Sequence, residues 1–275
     1  MTDYQQWVGN TAEQRDLVSN SGVERFCATF GLEQPVDVAP PGYHWCLCLP
    51  QTATDDLGPD GHPPRGGFLP PIELPRRMWA ASQVEFYNPL PMGAEVIRRS
   101  TIAAVSEKTG KTGALAFVDI DHDTWVEDSL AIRERQTIVY REAADTPMSL
   151  PAVDGGEPQG WQRVELLHPQ PSLLFRYSSL TFNSHRIHYD LPYAQSEELY
   201  PALVVHGPLM ATQALQLASE YGLVKQFSFK ALSAAFCGQP LYLAANMEGS
   251  QGLVSTIGGD GRTCLKADVS FSQKG

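Results

Sequence analysis

The run Tyr177-Ser-Ser-Leu-Thr-Phe-Asn183-Ser-His185-Arg186-Ile-His188-Tyr189-Asp190, taken up again by Leu199-Tyr-Pro-Ala-Leu-Val-Val-His206-Gly207-Pro208, is the densest polar cluster in the chain. Three of the seven histidines fall in the 22 residues from His185 to His206. Gly207 and Pro208 read as the N-cap and first residue of a helix, because proline there gives up only an amide that the first turn leaves unpaired. The segment that follows, to Tyr221, is apolar on most faces (Leu209, Met210, Ala211, Ala214, Leu215, Leu217, Ala218) and closes at Gly222. That is the pattern of a helix buried inside a sheet. Its start gathers unpaired amides and the positive end of a dipole, which can hold a carbonyl oxygen as it gains charge or simply cap a core helix.

Strand-like runs surround this helix. Downstream they lie near residues 224–234, 240–247, 252–257 and 263–271, with Gly258-Gly-Asp-Gly261 as a hairpin turn, and upstream one runs from Trp161 to Leu167. The first half repeats the plan: Asn20-Ser-Gly-Val-Glu-Arg-Phe-Cys-Ala-Thr-Phe-Gly31 is an amphipathic helix, and dense β-branched or alternating runs follow at 82–88, 94–105, 114–123 and 131–140. Glu107-Lys-Thr-Gly-Lys-Thr-Gly113 is a glycine-bearing turn between the second and third of these runs. The reading is an α+β chain made of two duplicated halves, each a helix wrapped by an antiparallel meander: 1–142, a linker at 143–160 rich in Pro and Gly, and 161–275. Between Pro35 and Pro75 stand ten prolines, too many missing amides for a central strand or helix interior. This is expected to be a long ordered cover, of the kind that walls an active site or simply packs.

Composition narrows the function. With 20 Lys and Arg against 31 Asp and Glu the formal charge is −11, so the surface repels phosphate polymers and anionic bilayers, and nucleic-acid binding is not expected. An anionic ligand has to be captured by local basic groups, for which Arg76, Arg77 and Arg186 are the candidates. No uncharged stretch reads as a membrane span, and Met1-Thr-Asp-Tyr-Gln-Gln-Trp-Val-Gly-Asn10 lacks the basic and apolar regions of a secretory leader. Five cysteines without metal-finger spacing suggest reduced thiols and a cytoplasmic protein. His185 and His188 beside His206 could be read as metal ligands, but with no Cys, Glu or second spaced His pair the expectation is no metal and no other cofactor.

The frame Asn183-Ser-His-Arg-Ile-His188, with His206-Gly207 eighteen residues after His188, resembles the enoyl-thioester hydratases of the MaoC-like hot-dog group. The variant Thr181-Phe-Asn-Ser-His-Arg-Ile-His-Tyr-Asp190 is similar in particular to the type 2 hydroxyacyl-thioester dehydratases and to mesaconyl-C4-CoA and itaconyl-CoA hydratases. Leu74-Pro-Arg-Arg-Met-Trp-Ala80, Gly66-Gly-Phe-Leu-Pro-Pro71 and Ile138-Val-Tyr-Arg141 extend the resemblance over nearly the whole chain. It implies a double hot-dog fold, in which one chain supplies both halves of what is elsewhere a homodimer. It also implies a coenzyme A thioester substrate and hydro-lyase activity on a short dicarboxylic enoyl-CoA, itaconyl-CoA or mesaconyl-C4-CoA giving citramalyl-CoA, with itaconyl-CoA hydration, as part of itaconate degradation, the first expectation. A 3-hydroxyacyl-thioester dehydratase of fatty-acid synthesis is the alternative, and a silent acyl-CoA-binding protein or a thioesterase the rivals from other classes. Pairing of two such chains into a homodimer is left open.

Where related hydratases carry an aspartate this chain has Asn183, and an amide is no base. The proton work then falls to His188, whose unperturbed pKa suits it, with Asn183 orienting water or fixing the imidazole. The Gly207 amide holds the thioester oxygen, and Arg76, Arg77, Arg186, His185 and His206 complete the expected binding set. In the first half Leu32 and Asp37 occupy the catalytic slots, so that half is expected to be catalytically degenerate and to form a pocket wall.

Overall fold

Ten strands form a single antiparallel sheet in the computed structural model, which describes residues 4–110 and 113–272. The first half contributes β1 (Thr11–Leu17), β2 (Arg76–Phe86), β3 (Glu95–Gly110), β4 (Gly113–Val126) and β5 (Ser129–Arg141). The second contributes β6 (Arg163–Leu167), β7 (Val224–Ala231), β8 (Leu241–Glu248), β9 (Gln251–Gly258) and β10 (Thr263–Phe271). Across the sheet the order is β1-β3-β4-β5-β2-β7-β10-β9-β8-β6, so each strand mirrors its counterpart in the other half. The halves join where β2 and β7 pair antiparallel, from Ala81 opposite Lys230 to Glu85 opposite Gln226. Alternation sets the two faces of each strand: on β7, Phe227 and Phe229 turn inward while Gln226 and Lys230 are exposed.

Four α-helices complete the chain: α1 (Asn20–Phe30), α2 (Pro171–Leu180), α3 (Leu191–Ser196) and α4 (Gly207–Ser219). As its sequence predicts, α4 is the buried one, lying against β7 to β10 and touching β2. Its other side is covered by a segment of the first half, where Gly42 approaches Thr212 and Leu215 and the Gln216 amide donates to the Pro41 carbonyl. Leu209, Met210, Leu215 and Leu217 are thereby sealed on all sides, each large side chain adding roughly 1.5–3 kcal/mol by leaving water. The helix starts one residue earlier in role than expected. His206 is the N-cap, Gly207 the first helical residue and Pro208 the second.

The first half departs from the expected plan. Its helix α1, capped by Ser19 Oγ and closed by Gly31 at φ 69°, is not wrapped by the meander but packs on α2. Each of these helices follows its half's first strand, so α1 is the counterpart of α2, and the first half has no counterpart of α4. Two 3₁₀ turns, Tyr43–Cys46 and Thr54–Asp56, and the proline-rich stretch stand in its place. The missing proline amides are the physical reason that no long helix forms there. Strand β1, with the polar sequence TAEQRDL, was not anticipated; it is an edge strand with alternate residues exposed.

Residues 143–160 contain no helix or strand and are fastened to the second half by Met148 N to Leu199 O (2.9 Å), Gln239 Nε2 to Pro151 O (2.8 Å) and Gly155 N to Gly259 O (2.9 Å). Strand β3 runs into the expected 107–113 turn and β4 resumes at Gly113; Lys111 and Thr112 lie outside the described residues, as do residues 1–3 and 273–275. All five cysteines are unpaired. Among the described residues no helix is long and apolar enough to cross a membrane.

Candidate active site

Helix α2 ends at Leu180, and two residues on Phe182 adopts φ 46°, a left-handed conformation costing a bulky residue roughly 1–2 kcal/mol. The chain thus reverses immediately before the motif. Asn183 Oδ1 accepts the His185 amide at 3.0 Å and turns the backbone into the one-turn helix Arg186–His188. Asp190 then caps α3, accepting the Tyr193 amide at 3.2 Å, and pairs with Arg186 at 2.8 Å. Arg186 lies over the Tyr193 ring and points toward solvent, so its charge is spent on the fold of the motif.

His188 Nδ1–H donates to the Val204 carbonyl at 2.7 Å, which leaves Nε2 as a bare acceptor. Burial holds its pKa well below the ordinary value, and the neighbouring His206 and His185 push the same way. The His206 ring stacks on it at 3.6 Å and 19°. His206 bonds through Nε2 to Ser178 Oγ at 2.9 Å, and burial takes its pKa down to about 3. Both rings are therefore neutral. The His206 carbonyl accepts the Met210 amide as the helix cap, while the Gly207 amide donates to no group among the described residues. A neutral imidazole with a free Nε2 thus stands beside an unpaired amide at a buried helix start, a pairing able to move a proton and stabilise an oxyanion together. Tyr177, fully buried, packs edge-on against His206 at 5.1 Å and supports this stack.

The two adjacent arginines part company. Arg76 is buried and its Nε meets Glu198 Oε2 at 3.0 Å, with further bonds to the Glu198 carbonyl and the Tyr200 ring, so its charge is already matched. Arg77 is half-buried and meets no carboxylate among the described residues; it donates to the Pro63 carbonyl at 3.3 Å. It stands opposite Tyr140 across the β2–β5 ladder, and the two side chains share the inner face. The Tyr140 hydroxyl is buried beside the Arg77 guanidinium. Two positions further along β2, the Trp79 carbonyl lies 3.5 Å from where a Cβ on Gly207 would sit. The Arg77 backbone is thus about 7 Å of strand from the residue that meets the helix start.

Beyond Trp79 the inner face of the first half is closed by a polar network. Glu134 accepts from Ser82 Oγ at 2.5 Å and Trp45 Nε1 at 3.2 Å, and Trp79 Nε1 donates to Ser82 Oγ at 2.8 Å. His122 bonds to Ser100 at 2.7 Å on the same face. Burial raises the Glu134 pKa and lowers those of His44 and His122.

One feature escaped the sequence reading altogether. Asp60 and His62, in the proline-rich cover, reach the motif: His62 Nδ1 lies 2.9 Å from Asp60 Oδ2, its ring lies tilted at 39° against His185 at 4.1 Å, and His185 meets His188 edge-on at 5.4 Å. His185 Nε2 also lies 3.5 Å from Glu198. Asp60, His62 and His185 each offer a ligand atom within 4.8 Å of the others, a donor set that zinc accepts in kind. The Asp60 oxygen is, however, engaged by the His62 ring, which makes this a hydrogen-bonded dyad in the observed geometry.

Residues 42–237 match the family model described as hydroxyacyl-thioester dehydratase type 2. The chain belongs to this family. Over 98% of both chains it is 40% identical to the mesaconyl-C(4)-CoA hydratase of Chloroflexus aurantiacus. Among solved structures it is similar to HtdX of Mycobacterium tuberculosis, at a TM-score of 0.71 and 17% identity over 95% of this chain and 99% of that one. A second Mycobacterium tuberculosis protein, described as a double hotdog fold, matches at a TM-score of 0.57 and 14% identity over 96% and 95% of the two chains. These likenesses establish the double hot-dog fold, and membership of the type 2 dehydratase family makes the chain an enzyme of the hydro-lyase class acting on thioesters. Within this family chain, the motif that identified it forms one contiguous surface from His185 to Gly207, and Arg77 borders it. Arg76 is paired with Glu198 in the interior and Arg186 with Asp190 near the surface.

Proposed function

We propose that the protein hydrates a short dicarboxylic enoyl-CoA in which the distal carboxylate sits on Cβ, with mesaconyl-C4-CoA giving citramalyl-CoA as the leading case. The observation that carries this is Arg77, a guanidinium with no protein carboxylate among the described residues, set beside the buried Tyr140 hydroxyl at the wall of the site. An unmatched carboxylate inside such a pocket is costly, and Arg77 with Tyr140 offers what it lacks. The 40% identical mesaconyl-C(4)-CoA hydratase supports the same substrate class.

Chemistry ranks the two five-carbon candidates. In mesaconyl-C4-CoA the double bond is conjugated with the thioester, so water adding at Cβ sends the π pair into an enolate held by the Gly207 amide. Itaconyl-CoA has its double bond one position further out and requires a proton to leave Cα first. Mesaconyl-C4-CoA is therefore placed ahead of itaconyl-CoA. In this reading His188 Nε2 takes the proton from water and returns one to Cα, its Nδ1 fixed by Val204. The long-chain alternative fares worse, because the network of Trp45, Trp79, Ser82 and Glu134 sets polar groups where an extended acyl chain would have to pass. Steady-state kinetics of the purified enzyme on mesaconyl-C4-CoA, itaconyl-CoA, crotonyl-CoA and a long-chain enoyl-CoA test the proposal. A kcat/KM highest on the long-chain ester would refute it.

A further inference from the structure

The loop Gly58–His62 comes from the first half, yet it is fastened to the motif of the second. Ser184 Oγ donates to the Gly61 carbonyl at 2.5 Å, the Arg186 amide to the Asp60 carbonyl at 3.0 Å, and Arg186 Nη1 to the Pro59 carbonyl at 3.0 Å. Gly61 sits at φ 83°, and a Cβ there would lie 1.9 Å from the Ser184 carbonyl oxygen, so only glycine allows the approach. Within the loop Asp60 takes both the His62 amide (3.0 Å) and the His62 ring N–H (2.9 Å). The construction immobilises one imidazole. That ring lies tilted against His185, which meets His188 edge-on, and Arg77 donates to the carbonyl of the next residue, Pro63. His62 therefore stands between the guanidinium assigned to the carboxylate on Cβ and the imidazole assigned to proton transfer. Cβ is the carbon that water attacks.

We propose that His62 is a second catalytic residue, holding the attacking water against Cβ, with Asp60 as its positioning residue. This rests on the hydratase reading above. A water that adds to Cβ must have both hydrogens accepted while a lone pair faces carbon. His188 Nε2 accepts one and removes that proton as the new C–O bond forms; the π pair moves into the thioester enolate at the Gly207 amide, and the His188 imidazolium returns the proton to Cα. His62 Nε2 accepts the other hydrogen throughout and ends as it began, so atoms and charge balance. The Asp60 carboxylate draws the ring proton to Nδ1 and thereby leaves Nε2 as an acceptor. Nε2 has no other partner among the described residues. Burial keeps the ring neutral, with its pKa taken down to about 4, as an acceptor requires. The Asn183 side chain is an amide and no base, and its Oδ1 is turned onto the His185 amide. The second acceptor for water has to come from elsewhere, and the clamped loop supplies one.

The test uses full-length wild type, His62→Ala, His62→Gln, Asp60→Asn and His188→Ala on mesaconyl-C4-CoA and crotonyl-CoA, with and without added imidazole. His62→Ala is expected to lose about 10²-fold in kcat with KM little changed. His62→Gln, which keeps an acceptor oxygen, should recover part of that loss, imidazole should restore part of the activity of His62→Ala, and Asp60→Asn should fall between. A merely structural role would give none of the recovery. The inference is overturned if His62→Ala keeps wild-type kcat, if its loss is rescued by neither glutamine nor imidazole, or if chelation abolishes and zinc restores wild-type activity, which would make the three residues a metal site. An active wild type with an indifferent His62→Ala overturns this inference alone; a wild type inactive on every enoyl-CoA overturns the hydratase reading and this inference with it.

Discussion

Replacing Arg77 by Met should change the substrate preference more than the activity itself. The guanidinium has no protein carboxylate to satisfy, so its loss strands no charge in the free enzyme, only the Pro63 carbonyl and the Tyr140 hydroxyl; the main cost appears when a substrate carboxylate arrives. Truncating one partner of a fully buried charge pair costs 2–5 kcal/mol or more. Arg77 is half-buried and the Tyr140 hydroxyl remains as a weaker partner, which puts the loss at the lower end, about 2–3 kcal/mol. At about 1.4 kcal/mol for each factor of ten, that is roughly 30- to 150-fold in kcat/KM on mesaconyl-C4-CoA. Crotonyl-CoA has an uncharged methyl group where mesaconyl-C4-CoA has the carboxylate, so its kcat/KM should change little. The decisive quantity is the ratio of the two constants in wild type and mutant. Arg76→Met is the control: it leaves Glu198 buried without its guanidinium, only the His185 ring remaining 3.5 Å away, and should cost roughly 3–5 kcal/mol of stability by denaturant melt while preserving that ratio. If Arg77→Met keeps the wild-type ratio, the carboxylate is read elsewhere or the natural substrate has none.

His188→Ala should lower kcat by 10² to 10⁴ with the fold retained, measured by single-substrate kinetics alongside circular dichroism; a mutant with most of the wild-type kcat removes His188 from the chemistry. Asn183→Asp should fold and stay partly active, since a carboxylate accepts the His185 amide as well as the amide oxygen does, and complete inactivity with intact structure would assign a role to the Asn183 NH₂ group. Stability should fall as pH drops from 7 to 5. His44, His62, His122, His188 and His206 all have folded pKa values below the ordinary 6.5, so the unfolded chain binds more protons in that window, and each group withdraws up to about 1.4 kcal/mol per pH unit. Glu134, with its folded pKa raised, acts in the opposite sense but is one group against five. A urea midpoint unchanged between pH 7 and 5 would show that these rings are not neutral and buried.

What the sequence disclosed and what it hid follow from how far apart the partners lie. The helix at Gly207 and the strands around it were legible because each depends on local pattern: Pro near a helix start, uniform apolar faces, alternation in the strands. The motif from Asn183 to His188 was legible as a resemblance because its residues are contiguous. Strand β1 was not, since TAEQRDL offers almost no apolar alternation and is held by its neighbour β3 alone. The role of α1 was misread because its amphipathic stripe fits packing on α2 as well as wrapping by a sheet. The proline-rich stretch announced a cover, and Asp60-Gly-His62 within it was a visible cue for a site residue, but the 123 positions between Gly61 and Ser184 kept its destination out of reach. The fate of Arg76 was equally hidden, because Glu198 approaches it only in the folded chain.

The mirrored strand order has a consequence for how such a site can change. In an assembly of two identical halves every substitution is made twice, once where it helps and once where it must do no harm, so a residue can be refined only within limits set by its twin. Covalent joining of the halves lifts that constraint. Here the position that holds a buried helix in one half holds a proline-rich segment in the other, and the freed segment covers α4 and reaches across to grip the opposite motif. Asymmetry of this kind allows one pocket to be tuned at both walls independently, in exchange for giving up the second.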